Sequence, residues 1–218
     1  MSKPNKNRTT TPESYHPKTP EIVNMMKKAS EIKIKSIEDM RANVNEVEIL
    51  KMPQMKLIGR ETRLGGRGGF LKGKDKEIWE TILEDGSFDT IQKLPYIIPK
   101  SFMAWTGNYT NEDGTFAYII GKFVPMDTPV PRGFTARLLP ETLVAKGIYG
   151  QGYSMIDIYK NWGYTQNYDL FGWNAELIFD DDPDEHDWLN FCEQKLWTNL
   201  SPVKKVDIEN KGKGTTNE

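Results

Sequence analysis

The 218-residue chain has one cysteine, Cys192, and two histidines. A single thiol excludes an internal disulfide framework and a cysteine-rich zinc site, and it fits a reducing compartment, so a cytoplasmic location is expected. His16 lies in a polar N-terminal stretch and His186 in an acidic one, so no Ser/His/Asp or Cys/His set can be assembled, and no catalytic residue is assigned. Long apolar runs are missing too. No uncharged stretch approaches the roughly 18 residues a membrane helix needs, and MSKPNKNRTTTPESYHPKTP contains no apolar signal core. Nor does one sign of charge dominate: 29 Lys+Arg against 31 Asp+Glu give a net charge of -2. Nothing global steers such a chain toward nucleic acid or an anionic membrane, so neither is an expected partner.

Two tempting motifs are incomplete. GGRGGFLKGKDK, residues 65–76, lacks GKS or GKT at phosphate-loop spacing, and its glycines do not form GxGxxG, so it reads as a mobile loop. The acidic run Asp180, Asp181, Asp182, Asp184, Glu185, Asp187 offers hard oxygen ligands without EF-hand spacing, so it reads as a solvated loop. No metal and no cofactor is expected.

Aromatic residues are plentiful: 6 Trp, 9 Tyr and 9 Phe, concentrated after residue 70. They accompany a legible order of elements. Residues 1–20 are polar and basic, the composition of a disordered tail. Residues 21–44 carry Ile22, Met25, Met26, Ala29, Ile32 and Ile37 at roughly helical spacing, which suits a docking or dimerising helix but is too little for a DNA-reading unit. Residues 206–218 form a second polar tail.

The main domain is expected over 45–205. EVEILKMPQMKLIGRET reads as two strands broken at Met52-Pro53, or one bent edge strand. Asp75 to Gly86 reads as one helix, with Ile78, Trp79, Ile82 and Leu83 on a stripe, followed by a loop through Pro95 and Pro99. FMAWTGNY and TFAYIIGKF then form a hairpin around Asp113-Gly114. A second round follows: strands on either side of Pro140, a helix over YSMIDIYKNW, and a final strand pair, 172–179 with 195–203. Strand, helix, two strands thus occurs twice. This predicts an α+β fold with an antiparallel sheet, helices on one side, and a groove between the halves where a ligand would sit.

In FGWNAELIFDDD, residues 171–182, Trp173, Ala175, Leu177 and Phe179 alternate against Asn174, Glu176 and Ile178. Glu176 is the only charge inside that strand. It is either a solvent-facing spacer or a carboxylate standing in a pocket.

In order, VEILKMPQMKLIGRET, EIWETI, DGTFAYIIGKFV, VPRGFTARLLPETLVAKGIYG, a helix ending in NWGY, and AELIF resemble the GyrI-like effector-binding domain over about residues 45–205. That resemblance implies tandem strand-helix-strand-strand units related by a pseudo-twofold, with a ligand groove between them. It implies a small-molecule ligand, apolar or cationic, and places the family's recurrent acidic residue on Glu176. Tyr118, Trp105, Tyr109, Tyr149 and Trp197 are the aromatics whose positions suit the groove, whereas Trp79, Tyr159 and Trp173 read as core. Three functions remain open. One is reversible binding of an effector or drug by a stand-alone domain, as a sensor or a sequestering protein. Another is hydrolysis of cyclopropane-bearing toxins, with Glu176 as base and Tyr118 or Tyr149 at the leaving oxygen. The third is contact with a protein partner, as in gyrase inhibition.

Overall fold

The computed structural model describes residues 47–65, 74–108, 114–148, 155–167, 172–179 and 198–206. The expected helix over 21–44, residues 1–20 and 207–218 of the expected tails, residues 66–73 of the glycine-rich stretch, Tyr109, Tyr149, the acidic run, His16, His186, Cys192 and Trp197 lie outside these residues.

The described strands are β1 Glu48–Met52, β2 Met55–Gly65, β3 Ser101–Gly107, β4 Thr115–Val124, β5 Thr135–Leu139, β6 Thr142–Ile148, β7 Tyr164–Gln166, β8 Asn174–Phe179 and β9 Thr198–Lys205. They form one sheet in the order β1-β6-β9-β8-β3-β4-β2-β5, with β7 added beside β9. Every pairing is antiparallel. Three helices are described: α1 Lys74–Glu84, α2 Ser87–Lys93 and α3 Met155–Asn161. The fold is therefore α+β.

Alternation along the strands assigns the faces. Met103 and Trp105 of β3, Ala117 and Ile119 of β4, and Ala175 and Leu177 of β8 join one core, which also takes Leu50, Leu57, Val144 and Leu200 from the outer strands. The opposite face carries the helices. There Ile78 and Ile82 of α1 and Phe88 and Ile91 of α2 pack on Phe102, Ala104, Tyr118, Ile120 and Ile178. On the same face of the other half, Met155, Ile158 and Tyr159 of α3 pack on Val47, Ile49, Ala145 and Val203. Burying both faces explains why β4 is buried from Phe116 to Val124, Lys122 included, and shows no amphipathic alternation.

The halves are related by a pseudo-twofold. The β1–β2 arm and the β5–β6 arm begin with strands of equal length, five residues each, and share the same break, with Pro53 matching Pro140. Each arm sends its first strand across to the other half: β1 pairs β6, and β5 pairs β2, in equivalent registers. Carrying this match through the ladders places Ile120 on Asn199 and Ala104 on Glu176. Ala104 and Glu176 are also direct partners across the β3–β8 ladder, so the pseudo-axis passes between them.

Some details depart from the sequence reading. The segment after Gly86 is a second helix, not a loop. Gly86 takes φ 73°, the left-handed conformation, and turns the chain into α2 instead of stopping the helical segment. The Asp85 carboxylate accepts the Ser87 backbone N–H at 2.9 Å, and Arg60 on β2 reaches both Asp85 (3.3 Å) and Ser87 (3.0 Å), fixing the joint to the sheet. β2 is not an edge strand, since β4 and β5 flank it. Its Gly59 directly opposes Gly121 of β4. A Cβ on either residue would lie 2.3 Å from a carbonyl oxygen of the neighbouring strand, so two glycines are needed for this close approach. β7, a three-residue strand, was not expected.

Candidate functional site

One row of directly opposed residues crosses the helix-bearing face: Gly147 on β6, Asn199 on β9, Glu176 on β8, Ala104 on β3, Ile120 on β4 and Arg60 on β2. Its two ends lie under helices. Gly147 lacks a side chain where a Cβ would meet Met155 Sδ at 3.0 Å, which lets the start of α3 close on the sheet. At the other end Arg60 holds the α1–α2 joint. Glu176 and Asn199 stand between these two helical layers, beside the pseudo-axis.

Glu176 makes no hydrogen bond or ion pair among the described residues. Burial alone raises its carboxyl pKa to about 7, because no donor or positive charge offsets the lost hydration. The residue nevertheless keeps intermediate exposure, so the carboxyl is desolvated without being sealed. Arg60, the other charged residue in the row, is three strands away and paired with Asp85. Across the ladder, Asn199 Oδ1 is buried and has no hydrogen-bond partner.

An aromatic cluster begins one ladder step from Glu176. Phe102, diagonal to it through the Phe102–Ile178 pair, meets Trp79 edge-on at 5.9 Å and Phe88 at 5.2 Å. Trp79 Nε1 donates to Tyr118 Oη at 3.2 Å. Tyr118 therefore shares the Glu176 face, and its hydroxyl is engaged by the indole. Trp79, read from sequence as core, is only partly buried and forms the outer side of this cluster. Trp173 and Tyr159 are fully buried, in agreement with the core reading.

Trp105 does not share this face. It points into the opposite core at 3% exposure, folded against Gly107, where a Cβ would lie 2.4 Å from its Cη2. Alternation on β3 puts it back to back with Ala104, so the sheet separates it from Glu176. Tyr109, Tyr149 and Trp197 lie outside the described residues. Sequence reasoning alone does not single out Asn199. Its signal was a lone amide inside KLWTNLSPV, on the strand expected to pair with the Glu176 strand.

Cavities lined by described residues include two that contain no candidate residue. One, of about 520 Å³, is lined by Leu94, Pro95, Pro125, Thr128, Pro129 and Pro131. The other, of about 310 Å³, lies between α1 and the Arg60–Arg63 segment. No group of three or more metal-ligating side chains occurs among the described residues. No helix among them is long and apolar enough to cross a membrane.

Tandem strand-helix-strand-strand units and exchanged β-arms give the chain a GyrI-like fold. SAV2435, solved bound to tetraphenylphosphonium, has this fold in common with the chain: TM-score 0.50 at 14% identity, over 73% of this chain and 94% of that one. The EcmrR C-terminal domain aligns with TM-score 0.41 at 11% identity, over 74% of this chain and 98% of that one. The sequence matches no family model and no curated protein.

Proposed function

We propose that the helix-bearing face around Glu176 binds a small hydrophobic cation, and that the chain acts as an effector- or drug-binding module. One observation carries this reading: a carboxyl group is buried without a positive partner at the centre of the pseudo-twofold, next to an aromatic cluster. Burying a carboxylate without compensation is unfavourable, and a cationic ligand supplies the missing charge. Aromatic faces add cation-π attraction of about 0.5–2 kcal/mol each. The pseudo-symmetric position holds Ala104, so the fold itself does not require an acid there. SAV2435, which shares the fold, binds a ligand of this class. That likeness supports the reading at the level of fold.

A carboxyl with pKa near 7 would also suit a general base, which keeps hydrolysis as a second reading. Titration of the protein with tetraphenylphosphonium at pH 8 tests the binding proposal. Glu176→Gln should weaken affinity at least about tenfold, or about 1.4 kcal/mol, with the circular dichroism spectrum unchanged. Equal affinity in both proteins would remove Glu176 from the site. Mass analysis of cyclopropane-bearing compounds after incubation separates binding from turnover: recovery of intact compound supports binding, and ring-opened product supports hydrolysis.

A further inference from the structure

Asn199 stands directly opposite Glu176 in the β8–β9 ladder, at a spacing where cross-strand side chains are about 4.5–5.5 Å apart at Cβ. Its Oδ1 is buried with no donor. An unsatisfied buried acceptor is destabilising, so its retention calls for an explanation. The fold does not supply one. Asn199 has Ile120 as its pseudo-twofold counterpart, fully buried in the core of the first half, just as Glu176 has Ala104. One half thus fills these two positions with apolar groups, and the other fills them with two oxygen acceptors side by side. Asn199 and Glu176 do not hydrogen-bond each other among the described residues, so both oxygens are open to a third group.

We infer that Asn199 is a specificity-determining residue of the Glu176 site and that the site selects cations bearing N–H, protonated amines, over permanently quaternary ones. The inference rests on the function proposed above. A protonated primary or secondary amine, with at least two N–H donors, can donate to a carboxylate oxygen and to the Asn199 carbonyl together. A quaternary ammonium or phosphonium satisfies the charge of Glu176 but leaves Asn199 unpaired, and it displaces whatever water could reach the amide. Hydrogen bonds to charged donors are strong enough for a preference of at least about tenfold.

The test is calorimetric titration with 2-(diphenylmethoxy)ethylamine, a primary amine whose ammonium carries three N–H donors, and its N,N,N-trimethyl quaternary salt, which share the diphenylmethyl body, at pH 7.5. Wild type should bind the protonated amine at least about tenfold more tightly. Asn199→Ile, which installs the residue found at the equivalent place in the first half, should bring the ratio to within about twofold of unity. Asn199→Leu serves the same purpose should Asn199→Ile fail to fold. Equal wild-type affinities, or a preference that survives in the Asn199 variant, would overturn the inference. If the quaternary salt binds wild type and is lost in Glu176→Gln while no preference is seen, only the role of Asn199 falls. If neither compound binds, the site reading falls with it.

Discussion

Glu176 and Ala104 face each other across the β3–β8 ladder, and the pseudo-twofold that relates the two halves passes between them. Equivalent backbone positions therefore hold a methyl group on one side and a desolvated carboxyl on the other. The pair separates what the fold requires from what it only tolerates: Ala104 is part of an apolar core, while Glu176 interrupts that pattern and carries a pKa raised to about 7.

The ligand-free protein should lose stability as Glu176 ionises. Its folded pKa of about 7 lies above the ordinary value of 4.5, so the folded state holds the proton more tightly than the unfolded chain. The stabilising contribution is fully present below pH 4.5 and is lost as pH rises through about 7. At about 1.36 kcal/mol per unit, the total is on the order of 3 kcal/mol. Urea unfolding of wild type and Glu176→Gln from pH 4.5 to 8 measures it. The difference between the two proteins should shift in favour of the variant as pH rises, and a pH-independent difference would contradict the raised pKa.

The exchanged arm depends on a buried ion pair. Lys146 Nζ of β6 lies 2.7 Å from Glu48 Oε2 of β1, and the side chains are 2% and 12% exposed. Removing one partner strands a charge, so Glu48→Ala should cost about 3–5 kcal/mol. The exposed pair Lys51–Glu141, at 2.8 Å in the same arms, should matter far less, with Glu141→Ala costing about 1 kcal/mol or less. Chemical denaturation of the two variants gives the comparison directly, and similar losses would argue against the buried pair as the anchor.

Strand spacing at Gly59–Gly121 offers a third test. A Cβ on Gly121 would sit 2.3 Å from the Ile58 carbonyl oxygen, whereas one on Gly133 meets nothing within 4 Å. Gly121→Ala should therefore destabilise by about 3 kcal/mol or more. Gly133→Ala carries only the strain of its positive φ, about 1–2 kcal/mol. Thermal melts that rank the two the other way round would contradict the ladder register.

Local chemistry made much of this architecture readable. The Pro53 and Pro140 breaks, the Asp113-Gly114 turn signal and the alternation in β8 all depend on near neighbours, and they placed the strands and the two faces of the Glu176 strand. The unread parts depend on distant ones. In β3 both faces are apolar, Phe102 and Ala104 against Met103 and Trp105, so nothing in the strand itself said that Trp105 faces away from Glu176. Gly86 suits a helix end and a helix junction equally, and the Arg60 contacts that decide between them come from another strand. Asn199 gains its meaning only from the register that sets it opposite Glu176 and makes it the counterpart of Ile120.

Affinity for a permanent cation should follow the ionisation of Glu176. With a pKa of about 7, roughly a tenth of the carboxyl is ionised at pH 6 and roughly nine tenths at pH 8, so tetraphenylphosphonium should bind about tenfold more tightly at the higher pH. In Glu176→Gln the affinity should be the same at both values. A flat wild-type profile would show that the bound state does not depend on this carboxylate.

The most direct measurement is the proton released on binding. Calorimetric titration of wild type with tetraphenylphosphonium at pH 7, in two buffers of different ionisation enthalpy, should show release of about half a proton per ligand, because a half-protonated Glu176 must ionise to meet the cation. Glu176→Gln should release none. Tight wild-type binding without proton release would contradict the claim that Glu176 is the group that receives the charge.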